Sequence, residues 1–179
     1  MMNDIYEHAI KPMLPKKFDE NEWFVIVVTI IVLTGIYYIT MKNRHLLWTE
    51  LISIFLFNLQ LATLGDYFLA MPPYDFYDTV DRNSGELMDI FLQNIIYPGT
   101  VLFLMSFYNK KTTNKVLFIL VSAAILGILE WIGIHLFHLF KYNTWKFYYS
   151  VAFYLLVMSL NVLFFDKLRK FLNSRLSNS

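Results

Sequence analysis

The sequence predicts an all-α protein, an integral membrane bundle of about five transmembrane helices joined by short loops. Hydrophobic residues make up 57% of the 179 positions, above the roughly 45–50% of an average soluble domain. These residues fall into five long runs, at or near the ~20 residues with which a helix crosses hydrocarbon. Lipid admits only helices or closed barrels, and the runs are too long and too uniformly apolar for barrel strands.

The predicted spans divide the chain into three parts. An N-terminal extramembrane or interfacial segment, residues 1–22, precedes a transmembrane domain of residues 23–165, and residues 166–179 form a basic cytoplasmic tail. The first span, residues 23–41, begins at Trp23 and ends beyond Tyr37 and Tyr38, as expected of aromatic rings at headgroup level. Its β-branched residues would suit a strand, but its length and unbroken hydrophobicity favour a helix.

The remaining spans are predicted at residues 46–67, 89–108, 116–140 and 145–165. The second is the most polar, and Pro72 and Pro73 close it. Pro98-Gly99 interrupts the third, and because proline lacks a backbone N–H we expect a kink at Tyr97. Between these two spans lies an acidic loop with the turn-prone sequence Asn83-Ser84-Gly85, which we expect to be exposed to solvent.

The loop cations predict the orientation of the bundle. Positive residues in short loops are retained on the cytoplasmic side, and five helices place the two ends of the chain on opposite sides. One side then carries nine Lys and Arg residues and the other carries six. The larger set comprises Lys42, Arg44, Lys110, Lys111, Lys115, Lys167, Arg169, Lys170 and Arg175. We therefore expect a multi-pass membrane protein with the N-terminus outside and the C-terminus in the cytoplasm.

Composition excludes several kinds of chemistry. The chain has no cysteine, so disulfides, thiolate metal sites and cysteine nucleophiles are ruled out. A net charge of +1 gives no electrostatic basis for nucleic-acid binding. His135-x-x-His138 lacks the spacing and the adjoining glutamate of a zincin. We accordingly predict no catalytic residue, no metal site and no cofactor.

Charged side chains at membrane depth are the first candidates for function. Each costs on the order of 2.5–3.5 kcal/mol on insertion scales, so each needs a partner, water or neutralisation. Glu50 and Asp66 lie near opposite ends of the second span, where they can reach an interface. Glu130 cannot, because it stands 15 residues into a 25-residue predicted span.

A convergent polar cluster is therefore predicted in the outer half of the bilayer. On the fourth span Glu130, Ile134 and His138 are spaced i, i+4, i+8, which places them on one helical face. Such a cluster is competent as a proton relay, a cation site or a metal site, or it is a hydrogen-bonded plug that holds helices together. Its predicted members are Glu130, His135, His138, Asp66, Asp89, Gln93 and Asn94.

The block that begins at Glu130 resembles a known group of proteins. Glu130-Trp131, Gly133, Tyr142, Trp145, Ser150 and Tyr154 form a pattern similar to that of a family of small, uncharacterised polytopic membrane proteins of bacilli and clostridia. The match covers roughly a quarter of the chain. The resemblance implies a bacterial plasma membrane and a mostly helical fold, and it implies no catalytic residues.

Three functions follow as hypotheses. The first is a non-enzymatic structural or interaction protein of the bacterial cell envelope, which acts through the lipid bilayer, through other membrane proteins or by self-association. The alternative is a small transporter or channel subunit that handles a cation or proton through Glu130. The third, a lipid-modifying enzyme, requires a wet cavity around His135 and His138. A polar neighbour of Glu130 on another helix would indicate a paired structural group instead of an open site.

Overall fold

Hydrophobic helices account for almost all of the secondary structure, which confirms the predicted all-α membrane bundle. The computed structural model describes residues 6–41, 46–81, 86–108 and 113–176. Within these ranges five helical segments are long and apolar enough to cross a membrane. The helices are α1 (Glu20–Met41), α2 (Trp48–Leu69), α3 (Leu87–Phe91), α4 (Tyr97–Met105), α5 (Lys115–Phe137) and α6 (Phe147–Leu176).

The third span consists of α3 and α4 joined by one wide helical turn. Residues Leu92–Ile96 form this turn, in which the Tyr97 N–H donates to the carbonyl of Leu92, five residues back. Pro98 follows directly after this turn, at the start of α4. Because proline has no N–H, one bond to a preceding carbonyl is missing at this point of the span. Gly99 then lets α1 approach closely, since a methyl group there would overlap Cγ1 of Val32.

The fourth span ends earlier than the sequence predicts. Helix α5 stops at Phe137 instead of residue 140, because His138 adopts the left-handed conformation with φ 48°. The N–H groups of His138 and Leu139 both donate to the carbonyl of Gly133, which closes the helix end. His138 therefore does not continue the helical face of Glu130, and the predicted i, i+4, i+8 stripe ends before it.

Two short strands, which the sequence did not predict, lie at the end of the bundle where the acidic loop meets the segment after α5. Strand β1 (Tyr77–Thr79) pairs antiparallel with β2 (Phe140–Tyr142), with Tyr77 opposite Tyr142. The carbonyl of Phe76 also accepts the N–H groups of residues 143, 144 and 145. Residues 70–81 and 138–146 thus form one layer over the end of the bundle, which we call the cap.

The acidic loop is exposed to solvent only in part. Thr79 is 1% exposed and Glu86 is 0% exposed, whereas Asp75 lies at the surface. The N-terminal segment lies on the same side, where the Lys17 N–H donates to Asp81 over 3.0 Å. The turn at Asn83-Ser84-Gly85 falls outside the described residues, as do the loop cations Lys42, Arg44, Arg82, Lys110 and Lys111.

We call the end of the bundle opposite the cap the far end. It contains a packed apolar cluster and an ion pair between two helices. Ile54, Met105, Met158 and Phe165 are all fully buried in one apolar cluster. Glu50 does not escape to the interface, because Arg169 on α6 donates to its carboxylate over 2.7 Å. In addition, α6 continues as a helix to Leu176, within the segment predicted to form a tail.

Candidate functional site

A cavity of about 230 Å³ lies inside the bundle, directly beneath the cap. All five spans contribute to its wall, and the cap closes it on one side. Most of the lining is aliphatic or aromatic, which is typical of ligand pockets with a few fixed polar groups. The polar side chains in the lining are Asn58, Asp66, Tyr77, Tyr97, Thr100, Glu130, Tyr142, Trp145, Ser150 and Tyr154.

Glu130 is held at the cavity wall through one of its two oxygens. The Ser150 hydroxyl, on α6, donates to Oε1 over 2.7 Å, and the Tyr142 hydroxyl, on the cap, donates to the same oxygen. Trp145 Nε1 donates to Ser150 over 2.8 Å and fixes that hydroxyl. The Tyr154 hydroxyl, on α6, is also within hydrogen-bonding reach of this carboxylate. The other oxygen, Oε2, is buried and accepts no hydrogen bond of standard geometry from the described residues. Glu130 therefore has the paired neighbour of a structural group together with an acceptor oxygen left over.

Asp66 enters the same cavity from α2 and is the second carboxylate there. It is 7% exposed and forms a hydrogen bond with the Gln93 side chain. Gln93 Nε2 also donates to Asp89 over 2.9 Å. One neutral amide thus links two acids that lie on different helices, and it supplies no positive charge to either.

Tyrosine hydroxyls surround the two carboxylates. Burial, reinforced by the negative charges of Asp66 and Glu130, raises the pKa of the Tyr77 hydroxyl. Burial and the hydrogen bond to Glu130 raise the pKa of the Tyr142 hydroxyl in the same direction. Both groups consequently stay protonated at physiological pH, and the Tyr142 hydroxyl serves as a neutral hydrogen-bond donor to Glu130.

The charged side chains in the described lining of the cavity are all negative. Among the described residues that line it there is no Lys, Arg or His. Two carboxylates at membrane depth without a cationic side chain carry a large desolvation cost, which a bound cation or a proton would remove. The arrangement can attract positive charge and cannot hold an anion.

The cavity is blind toward the far end. Its lining runs along α2 from Asp66 to Asn58, where Asn58 exchanges hydrogen bonds of 2.6 and 2.8 Å with Asn161. Below this pair the side chains of Ile54 and Phe165 are fully buried in the packed cluster. The cavity therefore has the form of a pocket closed at its base.

The structure separates the predicted cluster into two groups. Glu130, Asp66, Gln93 and Asp89 come together at the cap side of the bundle, as described above. His135 and His138 are exposed and do not line the cavity; His135 stacks on Trp131 and His138 pairs with Glu20 over 3.0 Å. Asn94 is also exposed and bonds to its own helix at the carbonyl of Ile90.

Several polar residues of the cavity escaped the sequence-based prediction of the site. Tyr142, Trp145 and Ser150 were noted only as part of the resemblance, and that block does coincide with the Glu130 side of the cavity. Tyr77 and Tyr97 gave no signal, because tyrosine is common in this chain and is expected at interfaces in any case. No group of three or more His, Asp and Glu side chains converges as metal ligands would in the described part of the chain.

Comparison with other proteins adds no relative to this description. The chain matches no family model, no curated protein and no solved structure.

Proposed function

We propose that this protein is a membrane-embedded cation-binding protein whose site is the cavity beneath the cap. One observation carries the proposal: Glu130 and Asp66 line the same cavity, and no cationic side chain accompanies them among the described lining residues. A positive ligand would neutralise both acids and occupy the acceptor capacity of Glu130 Oε2.

The surroundings of Glu130 favour a binding role over a purely structural plug. A plug is expected to fill its space, as the reciprocal bonds of Asn58 and Asn161 do. Glu130 instead borders open volume, with its orientation fixed by Ser150 and Tyr142. Fixing a carboxylate before the ligand arrives reduces the entropy that binding must overcome.

The packed far end favours a binding or carrier state over an open channel. The fully buried side chains of Ile54, Met105 and Phe165 leave no aqueous path below the cavity in this conformation. We therefore place the protein among small transporters or receptors that hold a cation at one side of the membrane. A function based on packing against other envelope proteins stays a prediction.

Localisation is part of the same proposal. The resemblance of the block from Glu130 to Tyr154 supports a bacterial plasma membrane. The loop cations support an orientation in which the cap faces outward. The cavity would then take its ligand from outside the cell.

Direct binding measurements test the proposed function. The full chain is reconstituted in lipid nanodiscs, and equilibrium binding of radiolabelled sodium and of radiolabelled tetramethylammonium is measured. We expect saturable binding of at least one of these cations. Glu130→Gln or Asp66→Asn should weaken that binding about thirtyfold or more, because removing one member of a buried charge pair costs roughly 2–5 kcal/mol.

The matched control is Glu20→Gln, which removes an exposed carboxylate that lies outside the cavity. Its affinity should equal that of the unchanged protein, and empty nanodiscs should show no saturable binding. If neither cation binds, or if binding is indifferent to both cavity substitutions, the proposed function is wrong.

A further inference from the structure

The cavity has two chemically distinct ends, and their arrangement identifies a class of ligand. The end beneath the cap carries the charge and the aromatic rings, whereas the lining toward the far end is almost entirely hydrocarbon. A ligand that satisfies both ends must itself have a charged head and an apolar body.

The charged end has the composition of an ammonium site. Four rings of the cap lie above Glu130 and Asp66 and form what we call the aromatic roof. Within it the Tyr77 ring lies 6.0 Å from Trp145 and 6.1 Å from Phe140, centroid to centroid, in edge-to-face arrangements. Ring faces attract cations within about 6 Å, and clusters of aromatic rings recur in proteins as binding sites for alkylated ammonium groups. The members of the roof are Tyr77, Phe140, Tyr142 and Trp145.

The same end is poorly suited to a bare metal ion. Such ions require six or more oxygen ligands at short distance when the site is built for calcium or magnesium. The acids of the cavity approach from different helices, and the described residues contain no group of three that converges. An ion whose charge is spread over methyl groups needs no such convergence.

The apolar end has the length of a short hydrocarbon tail. Asp66 and Asn58 are eight positions apart on α2, which corresponds to about 12 Å along the helix. The wall between them consists of side chains such as Leu61, Ala62 and Phe153. At about 230 Å³ the cavity also exceeds the roughly 150 Å³ of an engineered apolar cavity that holds benzene.

We infer that the ligand is an amphiphilic ammonium ion, with its head between Glu130, Asp66 and the aromatic roof and its hydrocarbon tail along α2 toward Asn58. This inference rests on the proposed function and adds to it the class of ligand. Because the base of the cavity is closed by the Asn58–Asn161 pair, the tail that fits has a maximum length.

A homologous series measures the tail directly. Alkyltrimethylammonium ions from ethyl to octyl compete with radiolabelled tetramethylammonium for the nanodisc-embedded protein, with empty nanodiscs used to correct for partitioning into lipid. We expect affinity to rise about fourfold per added methylene, the gain for burying one such group, until the tail reaches Asn58. Beyond that length the affinity should stop rising.

Two controls separate the head from the tail. Alcohols of matched chain length, which lack the charge, should compete at least tenfold more weakly. Ala62→Phe introduces a ring halfway along the tail region, and the series should then level off at a shorter chain. If Ala62→Phe does not fold, the chain-length series on the unchanged protein tests the inference by itself.

The outcomes distinguish this inference from the proposal beneath it. Carboxylate-dependent cation binding whose strength does not change with chain length would overturn the amphiphile and leave the cation-binding function standing. Absence of any carboxylate-dependent binding would overturn both. A series that rises equally for alcohols and ammonium ions would show an apolar pocket without recognition of charge, and would also contradict the inference.

Discussion

Glu130 shows how one residue combines a structural role with a proposed binding role. Its Oε1 accepts hydrogen bonds from the Ser150 and Tyr142 hydroxyls, and the Tyr154 hydroxyl lies beside the same carboxylate, whereas Oε2 accepts no hydrogen bond of standard geometry from the described residues. Bonding to one oxygen offsets part of the cost of keeping a carboxylate in the membrane. A bound cation would offset the remaining desolvation cost of the carboxylate. Glu130 therefore has a structural partner at Oε1 and acceptor capacity for a ligand at Oε2.

At the same scale, Asn58 and Asn161 should be energetically coupled. Their side chains exchange two hydrogen bonds, and each amide also bonds to its own helix. In a double-mutant cycle of Asn58→Leu with Asn161→Leu, unfolding in mixed micelles should give a coupling free energy of about 0.6–1.7 kcal/mol, the range for hydrogen bonds between membrane helices.

The control for that cycle pairs Asn58→Leu with a substitution on the exposed side of the same helix. Gln60 is exposed, so Gln60→Leu should be additive with Asn58→Leu within about 0.5 kcal/mol. If the Asn58–Asn161 cycle also gave a coupling free energy below about 0.5 kcal/mol, the reciprocal hydrogen bonds would not be holding α2 to α6.

At the scale of elements, the contact between α1 and α4 depends on Gly99. A methyl group at this position would overlap Cγ1 of Val32 and lie 3.1 Å from Cδ1 of Ile36, and the β-branched Val32 side chain has one strongly preferred rotamer in a helix. We expect Gly99→Ala to lower the free energy of unfolding by about 1–3 kcal/mol, the usual cost of overpacking.

Gly127 provides the comparison for Gly99, because it is also a helical glycine of the bundle. A methyl group at Gly127 would lie 3.8 Å from Phe147, an ordinary van der Waals separation. Gly127→Ala should therefore leave stability unchanged or raise it by about 0.5–1 kcal/mol, the gain from helix propensity. Similar losses in both variants would mean that the close approach at Gly99 is not special.

At the scale of the whole molecule, the structure fixes which loops share an end and leaves the direction of insertion to be measured. The N-terminal segment, the cap and the His138–Glu20 pair all lie at one end, and the Glu50–Arg169 pair lies at the other. The excess of cations at the Glu50–Arg169 end predicts that this end is cytoplasmic.

Single cysteines test the orientation cleanly, because the chain contains none of its own. Asp75 in the cap and Ser174 near the end of α6 are both exposed. In intact cells a membrane-impermeant maleimide should label Asp75→Cys and should label Ser174→Cys only after the cells are opened. The reverse pattern would invert the proposed topology and would place the cavity on the cytoplasmic side.

Sequence alone determined the class of fold and predicted that Glu130 is the charged side chain farthest from either interface. Both conclusions rest on the cost of placing polar groups in hydrocarbon, which acts on each segment separately and is visible in composition and spacing. The sequence did not predict that His138 would leave the helical face of Glu130. His138 adopts the left-handed conformation, and its N–H ends α5 by donating to the carbonyl of Gly133.

Only the tertiary structure decided which polar groups share a space. It placed Asp66 and Glu130 in one cavity, moved His135, His138 and Asn94 outside it, and folded residues 70–81 over it as a cap. These outcomes depend on helix rotation and on pairing between residues more than 60 positions apart, such as Tyr77 with Tyr142. Hydrophobicity along a single span does not encode such pairings, because lipid rewards every apolar face alike and the contacts between helices choose among them.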